Sequence, residues 1–227
     1  MDKSDRYLIT AQTLLRAYAA GVFPMAETKE AKDLYWVDPD IRGILPLNGM
    51  YISKSLRKTL RQQKFDVRSD TNFLGVMEKC AEATEDRPDT WINSDIFRLY
   101  TELYHLGCAH SIECWQEGEL VGGLYGVSLG TAFFGESMFS RRSNASKVAL
   151  THLVARLRLS NFTLLDTQFL TNHLESMGAI EVPRKTYHKL LDIALETPLC
   201  HFYSDPPAEL LFSEIEEMFS QSKTQRS

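Results

Sequence analysis

Asp166 and Gln168 stand two apart in the run Phe162-Thr-Leu-Leu-Asp-Thr-Gln168. Residues two apart on a strand leave the same face, so this pair offers a carboxylate and an amide to one point. A carboxylate inside an apolar strand is costly unless it is hydrogen-bonded or opens on a cleft. Spacing alone leaves two readings open, a polar strand end and a reacting pair. Glu136 raises the same question between Phe134 and Met138, where the preceding Gly135 lets a ligand approach the backbone. His173, seven residues beyond Asp166, invites a catalytic reading, but a histidine near a helix N-terminus more often serves structure. No serine lies in a G-x-S-x-G turn, and no glycine-rich phosphate loop of Walker or Rossmann type is present. Arg141–Ser146 fall between a strand and a helix, where an anion can bind, yet they lack the glycines of a pyrophosphate cradle. Cys108, His110 and Cys114 give three metal ligands at most, in no common zinc spacing, so no metal is expected. Cys80, Cys108, Cys114 and Cys200 form no C-x-x-C pair and read as four free thiols of a reducing compartment.

The elements that must position these residues follow from periodicity and punctuation. Ala11 to Gly21 reads as a helix with Leu14, Leu15 and Tyr18 on one face, stopped by Gly21. The stretch through Phe23-Pro24 and Trp36–Asp40 reads as proline-punctuated loop. Ser53 is placed to cap a helix over Lys54–Gln63. On it, Leu56 and Leu60 share one face while Lys54, Arg57, Lys58 and Arg61 recur on another. Phe73–Ala83 and Ser94–Leu106 are further helices. His110–Trp115 and Leu120–Val127 read as a hairpin, and Thr131–Phe139 as a third strand. Ser143 or Asn144 caps a long helix to Leu159, Phe162–Gln168 is a strand, and Thr171–Met177 a helix. Ile180–Val182 is a short strand and Tyr187–Leu195 a last helix, with a polar, frayed tail after Phe212. Antiparallel strands followed by helix, strand and helix predict an α+β fold. The division expected is a small N-terminal domain over residues 1–70, which holds the basic helix, and a larger domain over 71–227.

With 227 residues and a mean hydropathy of -0.24, the chain has no long uncharged apolar run, which argues against a membrane helix. Met1-Asp-Lys-Ser-Asp-Arg6 lacks the apolar core of a secretory signal, so a cytoplasmic protein is expected. The net charge of -5 argues naively against a nucleic-acid partner, but the charge is segregated. Residues 1–80 carry +3, 81–140 carry -8, 141–189 carry +5 and 190–227 carry -5. Local potential rather than net charge governs binding, so a polyanion and a cation can be received on different faces.

Several strings together resemble the leucyl/phenylalanyl-tRNA–protein transferases. They are Gly21-Val-Phe-Pro24, Trp36, Ile52-Ser-Lys-Ser55, Thr90-Trp-Ile92, Gly107–Glu113, Leu120–Val127, Phe134-Gly-Glu-Ser-Met-Phe-Ser140, Asn144-Ala-Ser-Lys147, Asp166-Thr-Gln168 and Gly178-Ala179. The match runs in the family's order from about Tyr7 to Glu196, and Gly-Glu-Ser-Met-Phe-Ser with Asp-x-Gln downstream is its most specific part. The resemblance implies an acetyltransferase-like (GNAT) domain with a mixed, largely antiparallel sheet, used without CoA, without any other cofactor and away from membranes. It also implies transfer of Leu or Phe, and Met less well, from aminoacyl-tRNA to proteins that begin with Arg or Lys, creating a degradation signal.

By the same resemblance Gln168 draws the proton from the attacking amine and Asp166 orients it. Glu136 positions the aminoacyl-adenosine, and Leu124, Met138, Leu150 and Leu165 form the pocket for the donated side chain. Trp36 and Trp91 flank the terminal adenosine. Lys54, Arg57, Lys58 and Arg61 become a phosphate-binding face for tRNA. Two alternatives stand beside this reading: a leucyl transferase acting on Asp or Glu N-termini, and a non-catalytic tRNA-binding module on the same fold.

Overall fold

The structure, a computed structural model, describes residues 9–83, 89–197 and 201–224. In chain order the elements are α1 (Ala11–Ala19), β1 (Phe23–Met25), β2 (Tyr35–Val37), β3 (Ile41–Ile44), α2 (Lys54–Arg61), β4 (Asp66–Ser69), α3 (Phe73–Ala81), α4 (Ser94–His105) and β5 (Ala109–Gln116). They continue with β6 (Glu119–Leu129), β7 (Ala132–Ser140), α5 (Ala145–Leu159), β8 (Leu164–Gln168), α6 (Asn172–Glu175), β9 (Ile180–Pro183), α7 (Arg184–Glu196) and α8 (Ala208–Thr224). Side-chain caps begin most helices: Thr10, Ser53, Asn72, Asn93 and Thr171 each accept a backbone N–H of the first turn.

Seven strands form one sheet in the order β4-β5-β6-β7-β8-β3-β9. Every neighbouring pair is antiparallel except β7 and β8, which run parallel. The α+β class with a mixed, mostly antiparallel sheet is therefore as the sequence predicts. β3 and β4, from the first 70 residues, are built into the same sheet as the strands that follow. The stretch read as loop is more ordered than expected: β1 and β2 pair antiparallel, Pro24 opposite Trp36. Three-residue strands carry too little alternation to announce themselves.

Two apolar layers sandwich the sheet. One packs α2, α5 and α8 through Leu56, Leu153, Leu157 and Ile215. The other packs α1, α3, α4 and α7 through Leu14, Val76, Leu99 and Leu191. Eleven of the fifteen residues of α5 are buried, so a single contact face cannot account for it and a second layer has to cover it. α8 is that cover, with Leu211, Ile215, Met218 and Phe219 buried. The expected frayed tail is thus a helix, because these four apolar residues recur at helical spacing among Glu214, Glu216 and Glu217.

Asn144 occupies the N-cap position of α5, but with a left-handed φ of 69° and no capping bond from its side chain. Its amide instead reaches Thr59 Oγ1 on α2 at 3.1 Å. Cys80, Cys108 and Cys114 are in no disulfide among the described residues, while Cys200 lies outside them. No group of three His, Cys, Asp or Glu among the described residues is placed to hold a metal. No described helix is long and apolar enough to cross a membrane.

Candidate active site

The parallel pair β7 and β8 stays in register only for Ala132–Phe134 against Leu164–Asp166. Beyond that point β8 turns to pair with β3, while β7 runs on to Ser140 beside β6. A cavity of about 440 Å³ occupies the gap. Its walls include Glu136 and Met138 from β7, Leu124 from β6, Leu150 and Leu153 from α5, Leu165 and Gln168 from β8, and Trp91.

Two bulges aim the polar groups. Tyr125 pairs with Ser137 and Gly126 with Gly135, which leaves Glu136 without a partner on β6. Ile44 pairs with Asp166 and Gly43 with Gln168, so Thr167 is the extra residue on β8. Bulges of this kind re-aim side chains next to functional sites. Gln168 itself has φ 62°, and the N–H of Phe169 donates to Thr167 O at 2.7 Å across it, a tight turn seldom adopted by a non-glycine residue. Gly43 is required where β8 turns: a Cβ there would lie 2.7 Å from the backbone carbon of Phe169. Simple alternation therefore does not describe the Asp166–Gln168 pair, although the two remain linked.

That link runs through the backbone. Asp166 Oδ1 accepts the N–H of Gln168 at 2.7 Å. The rest of the carboxylate is held by Arg42, whose Nε donates to Oδ1 at 3.0 Å and whose Nη2 donates to Oδ2 at 2.6 Å. The Tyr187 hydroxyl donates to Oδ2 at 2.8 Å. Asp166 is wholly buried and is not on the cavity wall. The Arg42 guanidinium carbon lies 4.5 Å from the ring centre of Phe23 and 4.3 Å from that of Tyr187. Its Nη1 donates to Gly21 O at 3.0 Å. Burial works against the charge of Arg42, but the hydrogen bonds and charge of Asp166 outweigh it and leave the group above its ordinary range.

Glu136 has one side on the cavity and its carboxylate enclosed. Oε1 accepts from the Tyr18 hydroxyl at 2.6 Å and from Gln168 Nε2 at 3.0 Å, and Oε2 from the Tyr100 hydroxyl at 2.9 Å. Loss of solvent pushes Glu136 up to about 7 against the pull of its three donors, and the charge of Asp166 adds to the rise. Facing a carboxylate, the Gln168 amide presents its NH₂, which leaves its Oε1 as an acceptor with no hydrogen bond among the described residues, on a side chain that lines the cavity. The arrangement can hold an apolar acyl side chain and offer an oxygen to an N–H beside it.

Leu124, Met138, Leu150, Leu165, Glu136, Gln168 and Trp91 are brought together on this cavity. Trp36 is not: it lies on β2, 40% exposed and off the cavity wall. His173 does line the cavity, with a buried Nε2 that has no hydrogen-bond partner among the described residues. Burial, and then Lys147, lowers its pKa, so it stands neutral.

The four basic residues of α2 are only partly as expected. Lys54 and Lys58 are exposed, but Arg57 donates to Ile52 O at 3.0 Å. Arg61 makes a two-pronged pair with Glu216 of α8 at 2.9 and 2.8 Å. Both arginines lie over the ring of Phe219, at 5.5 and 5.3 Å. An α8 read as frayed could not have been given this role.

Tyr18, Arg42, Tyr100 and Tyr187 were missed as site residues. Arg42 carried a usable signal, a lone cation in Ile41-Arg-Gly-Ile-Leu45 that raises the same question as Asp166. The tyrosines carried none, since each fits an apolar helix face.

The profile described as Leucyl/phenylalanyl-tRNA protein transferase matches residues 44–192, and that of the family's N-terminal domain matches residues 8–40. A leucyl/phenylalanyl-tRNA–protein transferase of Paramagnetospirillum magneticum is 62% identical over 190 residues, covering 83% of this chain and 91% of the relative. That of Rhodospirillum rubrum is 58% identical over 188 residues, covering 83% and 88%. One from Rhizorhabdus wittichii is 61% identical over 187 residues, covering 82% and 75%. By profile and by identity alike, the chain belongs to the leucyl/phenylalanyl-tRNA–protein transferase family of aminoacyltransferases.

Proposed function

We propose that the protein transfers Leu or Phe, and Met less well, from aminoacyl-tRNA to the N-terminal α-amine of proteins that begin with Arg or Lys, marking them for degradation in the cytoplasm by the N-end rule. The observation that carries the reading is an apolar cavity ending at a glutamine oxygen whose amide is fixed from behind. The donor is an activated ester, and the acceptor amine has a pKa of about 7.7–8.0. Aminolysis then requires alignment and a place for one proton rather than a covalent nucleophile. Leu124, Met138, Leu150 and Leu165 take the donated side chain, and Trp91 stacks on the terminal adenosine, worth roughly 1–3 kcal/mol. Trp36 reaches only that part of the nucleotide outside the cavity. Gln168 Oε1 accepts the amine N–H, and Asp166 acts through Gln168, whose backbone it holds.

The test is transfer of radiolabelled Leu from Leu-tRNA to peptides that begin with Arg, Lys, Asp or Glu. Arg and Lys peptides should be the acceptors, and Gln168→Ala should lower turnover at least tenfold with Leu-tRNA binding nearly unchanged. Preference for Asp or Glu peptides would establish the acidic-acceptor alternative. Near-normal turnover of Gln168→Ala would remove Gln168 from the chemistry, and binding of tRNA without transfer to any peptide would leave a binding module.

A further inference from the structure

Three oxygen-bearing groups meet behind Gln168: the carboxylate of Glu136 on the β7 bulge and the hydroxyls of Tyr18 on α1 and Tyr100 on α4. Both phenols are fully buried. Each donates to the carboxylate, and the two hydroxyls are also in hydrogen-bonding contact with each other. That makes three contacts, each needing one hydrogen, and two phenols supply two. With Glu136 ionised, both phenol protons point at the carboxylate and the hydroxyl pair is left with lone pairs facing. One further proton, on Oε1, completes the ring: Glu136 donates to Tyr18, Tyr18 to Tyr100, and Tyr100 to Glu136. The phenols do not provide it by ionising, because burial and the charge of Glu136 hold both well above their ordinary range.

On the cavity side the ring is hydrogen-bonded by the Gln168 amide, through Nε2 on Glu136 Oε1. The other charged and titratable groups facing Glu136 are Asp166 on β8, which favours its protonation, and Arg42 on β3, which is already paired with Asp166. Tyr125 on β6 faces Tyr100 from the far side.

We propose that Glu136, Tyr18 and Tyr100 form the proton store of the transfer reaction, loaded and unloaded through the amide of Gln168. This rests on the role of Gln168 given above and extends it. As the amine nitrogen bonds to the acyl carbon, the carbonyl electron pair moves onto its oxygen. The surplus N–H proton goes to Gln168 Oε1 while an Nε2 proton goes to Glu136, and Gln168 becomes its imidic-acid tautomer. As the carbonyl re-forms and the ester C–O bond breaks, the Oε1 proton passes to the leaving ribose oxygen. Glu136 then returns its proton to Nε2, and the site ends as it began. A neutral amide is a poor base alone; coupled to a carboxylate one proton short of a closed ring, it has somewhere to send the charge.

The experiment is the pH dependence of kcat for the full-length protein with Leu-tRNA and an Arg-initiated peptide, together with rates in mixtures of H₂O and D₂O. In the wild type, kcat should rise through an ionisation near pH 7, and the isotope plot should bow, as two protons move together. The acceptor amine adds its own ionisation near 7.7–8.0, which moves when the peptide's terminal amine is changed, whereas the limb from Glu136 stays. Tyr18→Phe removes one donor to the carboxylate and should shift that limb upward by about one pH unit with KM for Leu-tRNA within twofold. Glu136→Gln should abolish the limb, straighten the isotope plot and lower kcat at least tenfold. Melting curves report whether each variant is folded, and if Glu136→Gln is not, the shifts in Tyr18→Phe and Tyr100→Phe decide. An unmoved limb in the folded tyrosine variants, or a limb and bowed plot retained in Glu136→Gln, overturns the proposal. Slow turnover in Gln168→Ala with an unmoved limb overturns the store alone; fast turnover in Gln168→Ala overturns the role of Gln168 as well.

Discussion

The oxygens of Asp166 accept from Arg42, Tyr187 and the N–H of Gln168, which uses the carboxylate before any substrate arrives. Removing one partner of a buried pair of this kind costs about 3–5 kcal/mol. Asp166→Ala should therefore lower the melting temperature by on the order of 10 °C, and its effect on transfer mixes chemistry with lost structure. Gln168→Ala is the cleaner probe, and a melting point unchanged in Asp166→Ala would count against the buried pair as a framework. Glu136 behaves differently. Its folded pKa of about 7 lies above its ordinary 4.5, so the native state holds a proton that the unfolded chain releases between those values. Stability thus falls as pH rises from about 4.5 to about 7, by on the order of 3 kcal/mol, and levels off above. Glu136→Gln removes this dependence. Melts of the two proteins should be similar at pH 5, with the glutamine variant the more stable at pH 8. A constant gap between them at both pH values would show that Glu136 is not raised.

α8 joins the apolar core to the basic face of α2. It covers the outer side of α5 and sets the direction of Arg57 and Arg61 through Phe219. Phe219 is 2% exposed, whereas Leu210 on the same helix is 44% exposed. Phe219→Ala should cost about 3–5 kcal/mol in urea unfolding, and Leu210→Ala less than about 0.5 kcal/mol. Equal costs would mean that α8 is not seated as described. The spacing of Leu211, Ile215, Met218 and Phe219 was readable from the chain, and it was obscured because polar residues far outnumber apolar ones after Phe212 when the segment is judged by composition. α2 to α5 and β5 to β8 were legible because each is long enough to show its period and most carry a cap or stop. The bulges at Glu136 and Thr167 were not, since Phe134-Gly-Glu-Ser-Met138 reads as unbroken strand. A bulge is decided by which backbone groups the neighbouring strand leaves to pair, and β3, the neighbour that turns β8, comes from more than a hundred residues earlier. Candidate residues could be named from their types, but the hydrogen bonds that give them work come from α1, β3, α4 and α7.

Over the whole molecule, the segregated charge of the sequence is reshaped by packing. Arg61 belongs to a basic segment and Glu216 to an acidic one, yet the fold pairs them at an exposed site, where such a pair adds little to stability. Its consequence is for binding: the face of α2 offers Lys54 and Lys58 outright, and Arg61 only in competition with Glu216. Phosphate contacts set affinity without reading bases, and each neutralised phosphate contributes about -0.7 to -0.9 to the slope of log K against log salt. Replacing Lys54 and Lys58 with Ala should weaken Leu-tRNA binding and flatten that slope by about one to two units. Glu216→Gln should act in the opposite direction, tightening binding at low salt because Arg61 is released to the phosphates. Arg61→Ala should weaken it by more than one lost contact, since Arg61 then no longer offsets the charge of Glu216 beside the backbone. With a minimal aminoacyl-adenosine donor, which has no acceptor stem, all three variants should turn over as the wild type does. The opposite signs of the Glu216 and Arg61 variants are the decisive feature. If both weaken tRNA binding alike, or if the short donor suffers as much as the tRNA, then α2 and α8 serve the fold and the phosphate-binding face lies elsewhere.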